Sequence, residues 1–313
     1  MSSTRVAAVD CGTNSIRLLI TELDPAAGRA RDLDRRMQIV RLGQDVDRTG
    51  RLAPEALERT FKACREYAAV IADYGVAPER TRFVATSASR DAENSAEFAE
   101  GVREIIGVSP EVVSGDEEAQ LAFTGATQGL AGSGAAAPYL VFDLGGGSTE
   151  FVLGADSVRA ARSVDIGSVR LTERHFAGTE VPTAAQIAAA EADIAAGLNR
   201  AAEVVPLDAA ATLVGLAGTV TTVAAIALGL PDYDSALIHH SRLSLTRVRE
   251  VTERLLGAGH AERAAIPGLH PGRVDVIAAG ALVLRSIMER TGAAELLVSE
   301  HDILDGIAWS LVR

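Results

Sequence analysis

The sequence predicts an α/β fold made of two similar domains. Strand-like and helix-like segments alternate along the chain, as in folds whose sheets are covered by helices. The chain also carries an internal repeat: residues 6–20 and 139–153 each form an apolar strand, a polar turn and a second apolar strand. The aspartates that end the two first strands, Asp10 and Asp143, are separated by far more than the roughly 20–50 residues of a solenoid repeat. The repeat therefore indicates a duplicated domain.

The other elements follow in chain order. In the first half the pattern predicts strands at Arg36–Leu42, Arg82–Thr86 and Glu111–Val113, and helices at Pro54–Tyr74, Ala92–Ile106 and Gly115–Gly129. In the second half it predicts strands at Ala211–Gly215 and Glu295–Val298, and helices at Ala184–Ala202, Leu245–Leu256, Val274–Glu289 and Ile303–Val312. Proline at the first turn supports the start at Pro54, because that position needs no backbone donor.

Composition excludes several classes of protein. The 313 residues suffice for about two domains, and 48% hydrophobic with 23% charged residues is ordinary for a globular protein. The net charge of −12 argues against a nucleic-acid partner, which requires a basic face. Lys62 is the only lysine, and the Phe61 before it excludes a Walker-A phosphate loop. With only two cysteines, Cys11 and Cys64, and no targeting segment, a cytoplasmic location is expected.

One uncharged stretch, Ala209–Pro231, is long enough to span a membrane. Its glycines and threonines and its acidic flanks, Asp208 and Asp232, favour a buried strand, a turn and a buried helix instead. We therefore expect no association with a membrane.

Three glycine-containing turns have the composition of anion-binding loops. Gly145, Gly146 and Gly147, followed by Ser148, can present consecutive backbone N–H groups without obstruction. The equivalent turn of the first copy supplies Asn14 and Ser15, and Gly218 and Thr219 open a helix whose positive end attracts phosphate. Three such turns in one chain predict a phosphate-binding protein, although each alone is also compatible with an ordinary tight turn.

Acidic side chains accompany these turns. Asp10 and Asp143 stand where a strand meets its loop and have the hard oxygen ligands that Mg²⁺ or Mn²⁺ prefers, although either could cap its own turn. If Ser114 caps the next helix, Glu117 occupies the capping-box position and Glu118 is available for catalysis. The alternative is that these acids only complement the helix dipole.

Further phosphate contacts are predicted at Ser87, Arg90 and Arg17, although a lone arginine is usually solvated or ion-paired. Cys11 and Arg17 have the spacing of cysteine-dependent phosphatases, but an aspartate before the cysteine would raise the pKa of its thiol. The six histidines lack metal-ligand spacing, and His239 and His240 are expected to point in different directions.

Five motifs in order carry a resemblance to a known family: residues 10–17 (DCGTNSIR), 85–94 (ATSASRDAEN), 114–119 (SGDEEA), 143–150 (DLGGGSTE) and 218–222 (GTVTT). The chain resembles the exopolyphosphatase/guanosine pentaphosphate phosphohydrolase (Ppx/GppA) family, in its short two-domain actinobacterial form. The resemblance covers nearly the whole chain.

It implies two actin-like (ribonuclease-H-like) domains flanking an interdomain cleft: residues 1–125 with 299–313, whose last helix returns to the first domain, and residues 126–298. It also implies metal-dependent removal of terminal phosphate from inorganic polyphosphate, with guanosine penta- or tetraphosphate as a second candidate ligand and a homodimer as a candidate assembly. Glu118 would act on the attacking water, and Asp143 and Glu150 would organise Mg²⁺ or Mn²⁺. The missing C-terminal helical domain of longer members puts processivity on long chains in doubt.

Two rival functions use the same loops. An actin-like-fold kinase would transfer phosphate from ATP to a sugar or acid, whereas a non-catalytic sensor would bind polyphosphate or the alarmone without turnover. The position of Glu118 favours hydrolysis.

Overall fold

The structure is a computed structural model that describes residues 3–130 and 133–312. The chain divides into two compact units, Met1–Gln128 with Ile303–Arg313, and Gly129–Asp302. The interdomain cleft and the exact functional domain bounds stay predictions.

The first unit contains a five-stranded sheet, six α-helices counting one from the chain's C-terminal segment, and a 3₁₀ turn at Pro78–Arg80, all within the described residues. Its strands are β1 (Thr4–Cys11), β2 (Ser15–Asp24), β3 (Arg29–Ile39), β4 (Thr81–Ala85) and β5 (Glu111–Val112). Its first five helices are α1 (Val46–Thr49), α2 (Pro54–Asp73), α3 (Ser87–Asp91), α4 (Ser95–Ile106) and α5 (Gly115–Gln128).

The second unit has a six-stranded sheet over its described residues. Its strands are β6 (Tyr139–Leu144), β7 (Thr149–Gly154), β8 (Val158–Val164), β9 (Thr212–Leu216), β10 (Arg242–Ser244) and β11 (Glu295–Val298). Its helices are α6 (Ser168–Leu171), continued by a π-helical turn at Thr172–Phe176, α7 (Ala184–Ala202), α8 (Ala217–Leu228), α9 (Ser235–Ile238), α10 (Leu245–Gly257), α11 (His260–Ala264) and α12 (Ile277–Thr291), with a 3₁₀ turn at Pro271–Arg273. The last helix of the chain, α13 (Ile303–Ser310), belongs to the first unit.

The two sheets share one topology. The first has the order β3-β2-β1-β4-β5, with β1, β2 and β3 antiparallel and β4 and β5 joined in parallel. The second has the order β8-β7-β6-β9-β11, with the same directions, and adds antiparallel β10 at its edge. This is the arrangement expected of two actin-like (ribonuclease-H-like) domains, and the prediction of a duplicated α/β fold is confirmed.

Each apolar repeat forms the first two strands of its sheet. These strands are apolar along most of their length because both faces of the sheet are covered there. Side chains of β1 such as Val6 and Val9 are fully buried, as are Leu140 and Phe142 of β6. The last helix packs closely on its own unit: a Cβ at Gly306 of α13 would lie 1.9 Å from the Leu121 carbonyl oxygen of α5. Each core therefore fixes the ends of its first hairpin, where the candidate site residues lie.

No helix in the described part of the chain is long and apolar enough to cross a membrane. The uncharged stretch between Asp208 and Asp232 divides into β9 and α8, as its glycines and threonines predicted.

Candidate active site

The β1–β2 turn of the first unit is closed by a hydrogen bond from the Gly12 N–H to the Ser15 carbonyl, at 3.0 Å. The segment after β3 supports it from behind: the N–H groups of Val40 and Arg41 donate to the Asn14 carbonyl at 3.0 and 2.9 Å, and that of Gly43 donates to the Thr13 carbonyl at 2.8 Å. Gly43 is required there, because a Cβ would lie 2.3 Å from Cγ2 of Thr13.

The β6–β7 turn of the second unit is built in the same way. The Gly145 N–H donates to the Ser148 carbonyl at 3.1 Å, and the start of α6 supports the turn from behind. The Ser168 N–H donates to the Gly145 carbonyl at 3.0 Å, and the Val169 N–H donates to the Gly146 carbonyl at 2.8 Å. The Arg170 guanidinium adds a bond from Nε to the Gly147 carbonyl, at 2.7 Å.

The hydrogen bonds that support each turn from behind also orient the backbone N–H groups of that turn. In a trans peptide the N–H points away from the carbonyl of the preceding residue. Because the carbonyls of residues 13–14 and 145–147 face their supporting segments, the N–H groups of residues 14–15 and 146–148 point the other way. Each unit therefore has a turn with adjacent N–H groups on one side, which suits an anion. The Gly145 N–H is not one of these outward-facing groups, because it donates to the Ser148 carbonyl inside the turn.

The strand-end acids have different partners in the two units. Asp10 lies directly opposite Arg17 on β1 and β2, and Asp143 lies directly opposite Glu150 on β6 and β7. Arg17 donates to Asp10 Oδ2 from Nη2 at 2.6 Å and from Nε at 3.0 Å. Asp10 and Arg17 thus form an ion pair with no net charge. Asp143 and Glu150 are instead two acids, and they are 7% and 1% exposed, respectively.

A second group in the first unit surrounds Glu118. The Ser114 hydroxyl accepts from the Glu117 N–H at 3.2 Å, so the predicted cap is present. The Glu117 carboxylate accepts from Arg82 Nη2 at 2.8 Å. Glu118 is only 8% exposed, and the Arg90 guanidinium donates to its Oε2 at 3.3 Å and to the Val113 carbonyl at 3.1 Å.

Ser87 joins this region to the first turn. It begins the short helix α3 and is 3% exposed, and its hydroxyl lies 3.0 Å from that of Thr13. Within the first unit the structure therefore links Asp10 with Arg17, Thr13 with Ser87, and Arg90 with Glu118.

The amino end of α8 carries Gly218 and Thr219 in its first turn, as predicted. It also carries a contact that sequence reasoning missed: a Cβ at Gly218 would lie 1.5 Å from Arg273 Nη1. A guanidinium thus covers the positive end of this helix, where anions bind favourably. Arg273 lies in a 3₁₀ turn far along the chain, and no local pattern signals its position.

The cysteine alternative does not fit the structure. Cys11 is fully buried, and burial, followed by the proximity of Cys64 and Asp10, raises the pKa of its thiol well above the ordinary value. A thiolate nucleophile requires the opposite shift. Arg17, which would complete such a motif, pairs with Asp10.

One expectation about the histidines is wrong. The rings of His239 and His240 stack with centroids 3.7 Å apart, and the His301 ring lies 4.6 Å from that of His239. His240 has a left-handed backbone, with φ of 61°. Even so, over residues 3–130 and 133–312 no group of three or more His, Cys, Asp or Glu side chains is arranged to hold a metal ion.

The fold and its two amide-lined turns define an α/β protein with paired ribonuclease-H-like sheets. Residues 21–313 match the Ppx/GppA phosphatase family, and the chain belongs to that family.

Similar proteins support this assignment. The chain is 48% identical to "Exopolyphosphatase 2" of Mycobacterium tuberculosis, over 99% of both sequences. It is 29% identical to "Guanosine-5'-triphosphate,3'-diphosphate pyrophosphatase" of Aeromonas salmonicida, over 98% of this chain and 59% of that one. The crystal structure of an exopolyphosphatase-like protein, 44% identical in sequence, superimposes with a TM-score of 0.94 and covers 99% of this chain and 98% of its own.

Proposed function

We propose that this protein is an exopolyphosphatase, which hydrolyses the terminal phosphoanhydride of inorganic polyphosphate by attack of water. The observation that carries the proposal is that each unit has a turn whose carbonyls are held from behind, so that the N–H groups of that turn face away from its support. A phosphate group is a ligand that each such turn suits. The names of the similar proteins support a phosphatase over a kinase or a sensor.

Binding is assigned to groups in both units. In the first, the amides of Asn14 and Ser15 and the side chains of Arg17, Ser87 and Arg90 would contact phosphate oxygens. In the second, the loop at residues 145–148 and the α8 amino end at Gly218 and Thr219 would do so. We add Arg273, because its guanidinium lies on Gly218 and presents charge beside those amides.

Glu118 is the proposed base. Its carboxylate is buried and held by Arg90, which limits the orientations it can adopt. It would take a proton from the attacking water as the new P–O bond forms. The bond to the bridging oxygen then breaks, releasing orthophosphate and a polyphosphate shorter by one unit. Phosphoryl transfer depends mainly on positioning and charge neutralisation, which these donors supply.

Asp143 and Glu150 are the proposed ligands for Mg²⁺ or Mn²⁺. Two buried acids directly opposite each other repel, so a cation between them is favourable. A pair of carboxylates, completed by phosphate oxygens and water, matches the way proteins hold Mg²⁺. A cation bound there would supply positive charge to the phosphate oxygens. For Asp10 the ion pair favours a different role, which is to orient Arg17.

The nucleotide pppGpp is a second candidate substrate, because the relative from Aeromonas salmonicida is named for activity on guanosine-5'-triphosphate,3'-diphosphate. A homodimer and a cytoplasmic location stay predictions from the sequence.

Phosphate release tests the proposal. Purified protein is assayed with short and long polyphosphate, pppGpp and ATP, each with Mg²⁺, with Mn²⁺ and with excess EDTA. We expect metal-dependent release of orthophosphate from polyphosphate and little from ATP. Release from ATP only when a sugar or carboxylic acid is present would support the kinase. Tight binding of polyphosphate without release would support the sensor.

A further inference from the structure

Glu150 is held by two hydroxyl groups on the same oxygen. Ser148 donates to Glu150 Oε1 at 2.6 Å, and Ser163 donates to the same atom at 2.7 Å. Glu150 is 1% exposed and Ser148 2% exposed, so water does not readily replace the Ser148 donor, whereas Ser163 is half-buried. Hydrogen bonds to a charged acceptor are roughly twice as strong as neutral ones. These two contacts therefore help to fix the orientation of the Glu150 carboxylate.

Ser163 reaches this carboxylate from a neighbouring strand. It lies on β8, the edge strand of the second sheet, directly opposite Glu150 on β7. Ser148 stands two residues before Glu150, at the end of the glycine turn and just before β7 begins at Thr149. The carboxylate is thus held from the turn by Ser148 and from the edge strand by Ser163.

With Glu150 ionised, the protons in this cluster have one arrangement. A hydroxyl carries one proton and the carboxylate carries none, so both serines donate to Oε1. The Ser148 oxygen then offers only lone pairs to the turn. It can accept from water or an N–H group, or bind a cation, but it cannot donate to a phosphate oxygen while the bond to Glu150 persists. The backbone N–H of Ser148 is not involved in this bond and keeps the phosphate-binding role predicted for the turn.

We infer that Ser163 is a positioning residue for the hydrolytic site: its hydroxyl fixes the Glu150 carboxylate, which in turn fixes Ser148 Oγ as an acceptor facing the turn. The inference rests on the proposed function for the reaction it supports. Ser163 itself contacts neither substrate nor metal. Without the Ser163 hydroxyl, Glu150 Oε1 loses one of the two hydroxyl donors seen here, so that both the carboxylate and the Ser148 oxygen are held less firmly in one direction.

Three variants of the full-length protein test this inference. Ser163→Val and Ser163→Thr have nearly the same shape, but only threonine keeps the hydroxyl, and both suit a strand. Ser163→Ala removes the hydroxyl without adding volume, and so serves if valine disturbs folding. Two quantities are measured: the dissociation constant for Mn²⁺ without substrate, by electron paramagnetic resonance titration, and kcat and KM for phosphate release from polyphosphate.

We expect Val and Ala to weaken Mn²⁺ binding by about 10- to 100-fold, the usual effect of losing an outer partner of a metal ligand. Their kcat should fall with little change in KM, and Thr should stay within fivefold of the wild type in every quantity. The inference is overturned if Val and Ala change Mn²⁺ affinity less than fivefold, if Thr loses as much as Val, or if the wild type binds no Mn²⁺. If the Mn²⁺ affinities are as expected but the wild type releases no phosphate from polyphosphate, only the proposed function is refuted.

Discussion

Replacing Gly218 by alanine should separate binding from stability. The new methyl group would lie 1.5 Å from Arg273 Nη1 and 1.9 Å from its Cζ. Ordinary carbon contacts require about 3.5 Å, so the guanidinium must move by about 2 Å. The obstacle is the far end of a flexible side chain, and the side chain can swing aside without moving the backbone. The substitution thus acts on the position of the charge above the first turn of α8.

The two expected effects have opposite signs. Alanine is favoured over glycine inside a helix by roughly 0.5–1 kcal/mol, so the free energy of unfolding should stay unchanged or rise. A hydrogen bond to a charged group contributes about 1.5–3 kcal/mol. Its loss from a bound phosphate corresponds to about a 10- to 150-fold weaker affinity. We therefore expect KM for polyphosphate to rise by that factor in a protein that melts no lower than the wild type.

The assay is phosphate release over a range of polyphosphate concentrations, with thermal melting of the same samples. Gly257→Ala is the matched control, because it ends helix α10 in open space, with no atom within 4 Å of the new Cβ. It should leave both quantities nearly unchanged. A Gly218→Ala protein that melts like the control and keeps the wild-type KM would refute the assignment of Arg273.

Other substitutions and pH give further expected outcomes. Gly167→Ala would place a Cβ 2.2 Å from the Gly146 carbonyl oxygen, and such backbone overpacking should cost about 1–3 kcal/mol of stability in denaturant titrations and lower kcat. Cys11→Ser should keep hydrolysis within an order of magnitude, because a buried thiol of raised pKa is no nucleophile; complete loss of activity in a folded variant would contradict this. Burial lowers the pKa of His240 and His270, so folding favours their neutral forms. The free energy of unfolding should therefore be highest above about pH 6.5 and fall as the pH drops through that value. Urea titrations between pH 7.5 and 5.5 would measure this change, and a free energy of unfolding that does not vary with pH would contradict the prediction.

Much of the fold could be predicted because buried apolar residues recur in the sequence with the period of a helix or of a strand. Helix Ala184–Ala202 and strand Glu295–Val298 have the predicted bounds, and both first hairpins lie where the repeat placed them. The third strand shows the limit of this reasoning. It was predicted at Arg36–Leu42 and runs over Arg29–Ile39, because its charged first half is an exposed edge that pairs with β2 without an apolar pattern.

Short and edge elements were also missed. No pattern indicated strand β8, which provides Ser163, or the three-residue β10, since edge strands bury few side chains. Residues 87–91, for which no helix or strand was predicted, form the short helix α3.

The candidate site was predictable only in part. Its turns have local signatures in glycine and hydroxyl residues, so Asn14, Gly146 and Gly218 could be selected from the sequence. Contacts between residues far apart in the sequence could not be predicted. Arg273 approaches Gly218 from a distant turn, and the hydrogen bond between Arg90 and Glu118 joins separate helices. The roles of these residues stay predictions.

One buried carboxylate is proposed to activate water, and the two adjacent glutamates Glu117 and Glu118 allow this role to be tested. Glu118 is 8% exposed and held by Arg90, whereas the side chain of Glu117 is 47% exposed and paired with Arg82. Glu118→Gln and Glu117→Gln make the same chemical change at neighbouring positions of α5. We expect Glu118→Gln to lower kcat for polyphosphate by about 10²- to 10⁴-fold, the usual contribution of a general base, and Glu117→Gln to stay within a few-fold of the wild type. Equal activity in the two variants would contradict it.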